Sequence, residues 1–181
     1  MPQTHSPSEP PAAKILRIQT LTLRYVAAED RMCIDCRLKG GEHLRLWATR
    51  RLMDRLVPSL FDKLEADGSS SAIPADIRQS LAQSKAERQK EKSKAVAPPE
   101  DTPEWLVSGV KLADTPNGIR VAFRTKSTDE VAVIAFTRQH LRQWLAIVFS
   151  TYERAQWGRR VFPRWMEEDR NPAPAPKGLL N

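Results

Sequence analysis

The sequence predicts an α+β fold of internally duplicated β-β-β-α units, joined as one pseudo-twofold domain with the helices packed on an antiparallel sheet. Three observations lead there. A strand-to-helix stretch occurs twice, as Leu46–Phe61 and, 88 positions later, as Ile134–Phe149, with Thr49-Arg50 falling on Thr137-Arg138. Each Thr is followed by an apolar stripe at i, i+3, i+4, i+7 and i+8, the period of a core-facing helix. The stripe is Met53, Leu56, Val57, Leu60, Phe61 and Leu64 in the first copy, and Leu141, Trp144, Leu145, Val148, Phe149 and Tyr152 in the second. Ahead of both stretches, apolar and polar residues alternate with the period of 2 that marks half-buried strands.

Residues 1–14 are Pro-rich and polar, the composition of a disordered leader. The first unit spans 15–65. Leu21, Leu23 and Tyr25 alternate with Thr22 and Arg24, and Ala27–Asp30 makes a turn. Met32, Ile34, Cys36 and Leu38 then share one face, with Arg31, Cys33, Asp35 and Arg37 on the other. Lys39-Gly40-Gly41-Glu42 supplies the positive-φ positions of a hairpin. A third strand points Leu44, Leu46 and Ala48 inward and His43, Arg45 and Trp47 outward. Thr49 is placed to cap the following helix by accepting from a free N–H of its first turn. Pro58 removes one backbone bond inside that helix and is expected to kink it or split off its end.

Residues 66–103 read as a polar linker, opened by Asp67-Gly-Ser-Ser-Ser and closed by Pro98-Pro99. Pro74 to Lys94 favours helix, but Ile73, Ile77 and Leu81 are its only large apolar residues, so a solvated, frayed helix is expected. The second unit, 104–170, starts with a strand through Leu106, Val107, Val110 and Leu112, and turns at Asp114–Gly118. Ile119, Val121 and Phe123 then alternate with Arg120, Ala122 and Arg124. The apolar run Val131–Phe136 suits a central strand, and Thr137 caps the second helix. Residues 171–181 read as a disordered tail. The succession resembles, in topology, the Whirly and Pur-type single-strand-binding folds, which also build a domain from repeated strand-strand-strand-helix units. Such a likeness bears on fold and does not establish function.

A net charge of +7 and a pI near 9.7 favour an anionic partner. The N-terminus lacks the apolar region of a signal peptide, and no apolar run approaches the ~18 residues of a membrane span, so a soluble, cytoplasmic protein with no membrane partner is expected. Cys33-Ile-Asp-Cys36 is a C-x-x-C with no further cysteine. On a strand its sulfurs point to opposite faces, which suits one core and one surface thiol better than a metal or redox pair. His43 and His140 have no carboxylate at motif spacing. Nucleophile-elbow, phosphate-loop and metalloprotease patterns are all missing, so no catalytic residue, metal ligand or cofactor is assigned.

The informative polar pattern is on the outer sheet face. Alternation sends Arg24, Arg31, Arg37, Arg45 and Trp47 there from the first unit, and Lys111, Arg120 and Arg124 from the second. Guanidiniums for phosphates and a flat ring for a base are what single-stranded DNA or RNA requires, so binding with little sequence preference is the expected function. A second reading is a non-catalytic adaptor or assembly subunit. It would use the helix backs and the segment carrying Trp157, Arg160, Phe162, Arg164 and Trp165, residue types that dominate binding hot spots. Those same aromatics also suit closure of the core. A homo-oligomer is compatible with either.

Overall fold

Thr49 and Thr137 each end a strand and start a helix. Their hydroxyls accept from Leu52 N at 3.3 Å and from His140 N at 3.1 Å, so both caps form where the repeat places them. The computed structural model describes residues 13–66, 73–91 and 93–168. Residues 1–12 of the expected leader, the Gly-Ser stretch up to residue 72 and the tail at 171–181 lie outside them. The elements are β1 (Ile15–Val26), β2 (Arg31–Leu38), β3 (His43–Thr49), α1 (Arg50–Glu65), α2 (Ala75–Arg88), β4 (Glu104–Leu106), β5 (Gly109–Thr115), β6 (Gly118–Arg124), β7 (Val131–Thr137), α3 (Arg138–Arg154) and α4 (Arg164–Glu168). None of these helices is long and apolar enough to cross a membrane.

The fold is α+β, with one mixed seven-stranded sheet in the order β4-β3-β2-β1-β7-β6-β5. The pairing does not establish the expected pseudo-twofold relation. In the middle of the sheet β1 pairs with β7. That pairing is parallel, Ile15–Arg17 against Val131–Val133, so the sheet is not purely antiparallel. Strands β3-β2-β1 and β7-β6-β5 therefore follow one another along the sheet with the same alternation of direction.

The first strand of the second unit also divides. β4 joins the edge of β3 in parallel, while β5 starts two residues later at the opposite end of the sheet. Val107 N donates to Trp47 O and the adjacent Ser108 N to Arg124 O, each at 2.9 Å, so consecutive residues bond to the two ends of the sheet. The sheet is thus curled until its edges meet at one corner.

α1 and α3 pack against this sheet, with every residue of both predicted stripes buried. Tyr152 Oη donates to Asp54 Oδ1 at 2.8 Å and Arg138 Nη1 to Lys63 O at 3.3 Å, which sets the two helices antiparallel. Pro58 does not split α1, which runs unbroken through it. Trp157, Phe162 and Trp165 fold back as edge-on neighbours of Tyr152, Phe149 and Phe61. Burial of such rings contributes about 0.5–1.5 kcal/mol per pair beyond their area, so they close the core and are not available as interface anchors.

The segment expected to be a solvated linker carries a docked helix. α2 packs on α3 through Gln79, Gln83 and Ala86, which are buried, while Ile77 and Leu81 stay 53% and 57% exposed. Hydrogen bonds to α3 hold this face. Gln83 Nε2 donates to Arg142 O at 3.1 Å, Gln143 Nε2 to Ala86 O at 2.8 Å, and the Arg142 guanidinium to Gln79. Periodicity of apolar residues carries no sign of such a face.

Candidate nucleic-acid interface

The outer face of the sheet has two halves of different character. Over β1, β2 and β3 the expected arginines are largely engaged by carboxylates. Asp35 accepts from Arg24 Nε at 3.1 Å and from Arg45 Nε at 2.7 Å. Glu104, brought to the edge by β4, accepts from Arg45 Nη1 at 2.7 Å and from the Trp47 indole N–H at 2.9 Å. The Trp47 N–H, and next the Arg45 guanidinium, hold the Glu104 carboxyl below its ordinary range. Arg31 pairs with Glu29 at 3.5 Å, and Arg37 is exposed.

This half is also covered. Val96 N donates to the outward Thr22 Oγ1 at 2.8 Å, so the chain ahead of β4 crosses β1, and Arg45 N donates to Pro103 O at 2.9 Å where that chain joins the edge of β3. Asp35 and Cys33, both phased outward, are 4% and 0% exposed, with Asp35 bonded by Arg24, Arg45 and the Cys33 thiol. The expected surface thiol is therefore buried, and burial first, then the Asp35 carboxylate, pushes Cys33 up to about 11 and Cys36 to about 12. Thiols so far above neutrality are poor nucleophiles and poor metal ligands. Among the described residues no cluster of three or more His, Cys, Asp or Glu is placed to hold a metal ion.

The other half, over β5, β6, β7 and the start of β1, is open. A concavity of about 620 Å³ lies there, and all five charged side chains that line it are cations: Arg17, Lys39, Lys111, Arg120 and Arg124. Strand register sets their positions. Lys111, Ala122, Val133 and Arg17 lie side by side across four strands, and Arg120 sits between Ala113 and Ala135 in the next row. Three strand spacings put Lys111 and Arg17 about 14 Å apart, and four residues of β6 separate Arg120 from Arg124 by about 13 Å. Small residues between them leave a shallow apolar floor. Glu130, beside the lining residue Val131, is occupied by Lys14 at 2.8 Å.

Of the expected binding residues, the structure brings Lys111, Arg120 and Arg124 together and leaves Arg24, Arg31, Arg37, Arg45 and Trp47 on the other half. Arg17 and Lys39 are additions. Arg17 escapes a period-2 reading because β1 shifts register between Ile18 and Thr20. Without that irregularity Arg17 falls on the face opposite Arg24; with it, both point outward. Lys39 stands in the hairpin after β2, where Gly41 takes φ 94°, and its N–H donates to Arg17 O at 2.9 Å. In the adaptor segment Arg160 and Arg164 are exposed, but Trp157, Phe162 and Trp165 are buried, which removes the aromatic anchors of that reading. Comparisons with protein-family models, with curated proteins and with solved structures find no match to this chain.

Proposed function

We propose that the protein binds a single strand of nucleic acid, with little sequence preference, through the cationic concavity on β1, β5, β6 and β7. The observation that carries this reading is the charge of the lining, five cations and, among the described residues, no carboxylate. Guanidinium and ammonium groups at this density suit successive phosphates, and such contacts fix a strand without reading its bases. A concavity on the scale of a ligand pocket admits a flexible strand more readily than a rigid duplex. The covered half, with Arg45 and Trp47 held by Glu104, takes no part.

Fluorescence anisotropy of a labelled oligonucleotide of about 20 nucleotides, titrated at several salt concentrations, tests it. Five phosphate contacts at about 0.7 each give a log–log salt slope near −3.5, or roughly a hundredfold loss of affinity between 50 and 200 mM salt. Affinity that is millimolar at low salt, or independent of salt, would remove the proposal.

A further inference from the structure

The lining of the concavity has a second property. Among the described residues it contains no aromatic ring, and Gln19 is the only neutral side chain there with hydrogen-bonding groups; apart from the five cations the rest is Ala, Val and Ile. Single-strand platforms gain about 1–3 kcal/mol per base from stacking on aromatic rings. Here the small floor residues Ala113, Ala122 and Ala135 offer a base far less flat area than a neighbouring base does. The one nearby indole, Trp47, is on the other half of the sheet with its N–H given to Glu104. A strand held at this site keeps its charge neutralised and its bases free.

We infer that the protein promotes annealing: a strand bound by its phosphates presents unburied Watson–Crick edges to a complementary strand. This rests on the reading of the concavity as a phosphate site. Two effects drive it. Neutralised phosphates no longer repel the incoming strand, and the positive field around the site raises the local concentration of a second polyanion. The duplex that forms is stiffer than the strand and fits the concavity less well, so it is released.

Two measurements on the full chain separate this from the binding reading. Fluorophore- and quencher-labelled complementary 20-mers, mixed at low salt with substoichiometric protein, are expected to pair roughly tenfold or more faster, the lower end of electrostatic rate enhancement. The double variant Lys111→Glu with Arg120→Glu should abolish the acceleration while the chain stays folded. A 2-aminopurine placed in the strand should keep its free-strand fluorescence when anisotropy shows the strand bound. Tight binding together with unchanged or slower pairing, or with a 2-aminopurine signal altered by burial, would overturn the annealing inference and leave strand binding intact. An anisotropy that never rises would sink both.

Discussion

Arg17 on β1 stands beside Val133 on β7, across the parallel junction where strands β1–β3 meet strands β5–β7. That pairing continues the row from Lys111 through Ala122 and Val133 to a cation contributed by the first unit. The concavity is consequently a product of how the units join, and neither unit builds it alone.

Charge reversal at the site should act on binding and not on the fold. If the proposed strand binding holds, Lys111→Glu and Arg120→Glu should each remove one phosphate contact, lowering the magnitude of the salt slope by about 0.7 and weakening all sequences alike. Both side chains are exposed, so urea midpoints should stay within about 0.5 kcal/mol of the parent. Trp47→Ala, on the covered half, should leave anisotropy titrations unchanged. A large loss there would return the strand to β1, β2 and β3.

Acid sensitivity should involve Glu104. Its folded pKa is depressed below the ordinary 4.5, first by the Trp47 N–H and then by Arg45. A depressed carboxyl contributes stability that is complete above the unfolded value and vanishes as pH falls through the folded one. Stability should therefore drop below about pH 4.5, and Glu104→Gln should flatten that part of the acid limb in thermal melts. Asp30, lowered by the Tyr25 hydroxyl and the Trp157 N–H, keeps a share of the same sign in the variant. An unchanged acid limb in Glu104→Gln would show that the Trp47 and Arg45 bonds do not stabilise the fold.

The helix stripes set the stability. Leu60 is 0% and Phe149 1% exposed, so Leu60→Ala or Phe149→Ala should cost about 2–5 kcal/mol through the cavity each leaves. Thr137→Ala removes the acceptor of the His140 N–H and should cost about 1 kcal/mol. Urea melts read both; losses under half a kcal/mol at the two core positions would contradict the packing described.

Thiol chemistry gives a rapid check on the covered half. With Cys33 and Cys36 both buried and pushed to about 11 and about 12, neither should react with an aromatic disulfide reagent at pH 8 until denaturant is added. Fast reaction of one thiol in the native protein would mean that Cys33 or Cys36 is not buried as described.

The helices and most strands are readable in the sequence because each signal is local: a Thr cap, a 3.6-residue stripe, an alternation of two. The joining of the units is not local. Pairing of β1 with β7, and the departure of β4 from β5 at Val107–Ser108, follow from how the whole sheet curls. Docking of α2 escapes for a different reason, since its buried face is Gln79, Gln83 and Ala86 and its large apolar residues, Ile77 and Leu81, face outward. At the site, periodicity finds Lys111, Arg120 and Arg124 but misses Arg17, whose phase depends on one irregular residue in β1. It also places Arg45 and Trp47 correctly on the outer face, yet has no means of showing that Glu104, 57 residues beyond Trp47, reaches them.

The location of the bound strand is the central claim, and a ¹H–¹⁵N amide map with and without an oligonucleotide of about 20 nucleotides tests it most directly. The account predicts that shifts gather on Arg17, Lys39, Lys111, Ala122, Val133 and the flanks of Arg120 and Arg124, the residues that line the open half. Shifts gathered instead on Arg24, Arg37, Arg45 and Trp47, with the open half silent, would contradict it.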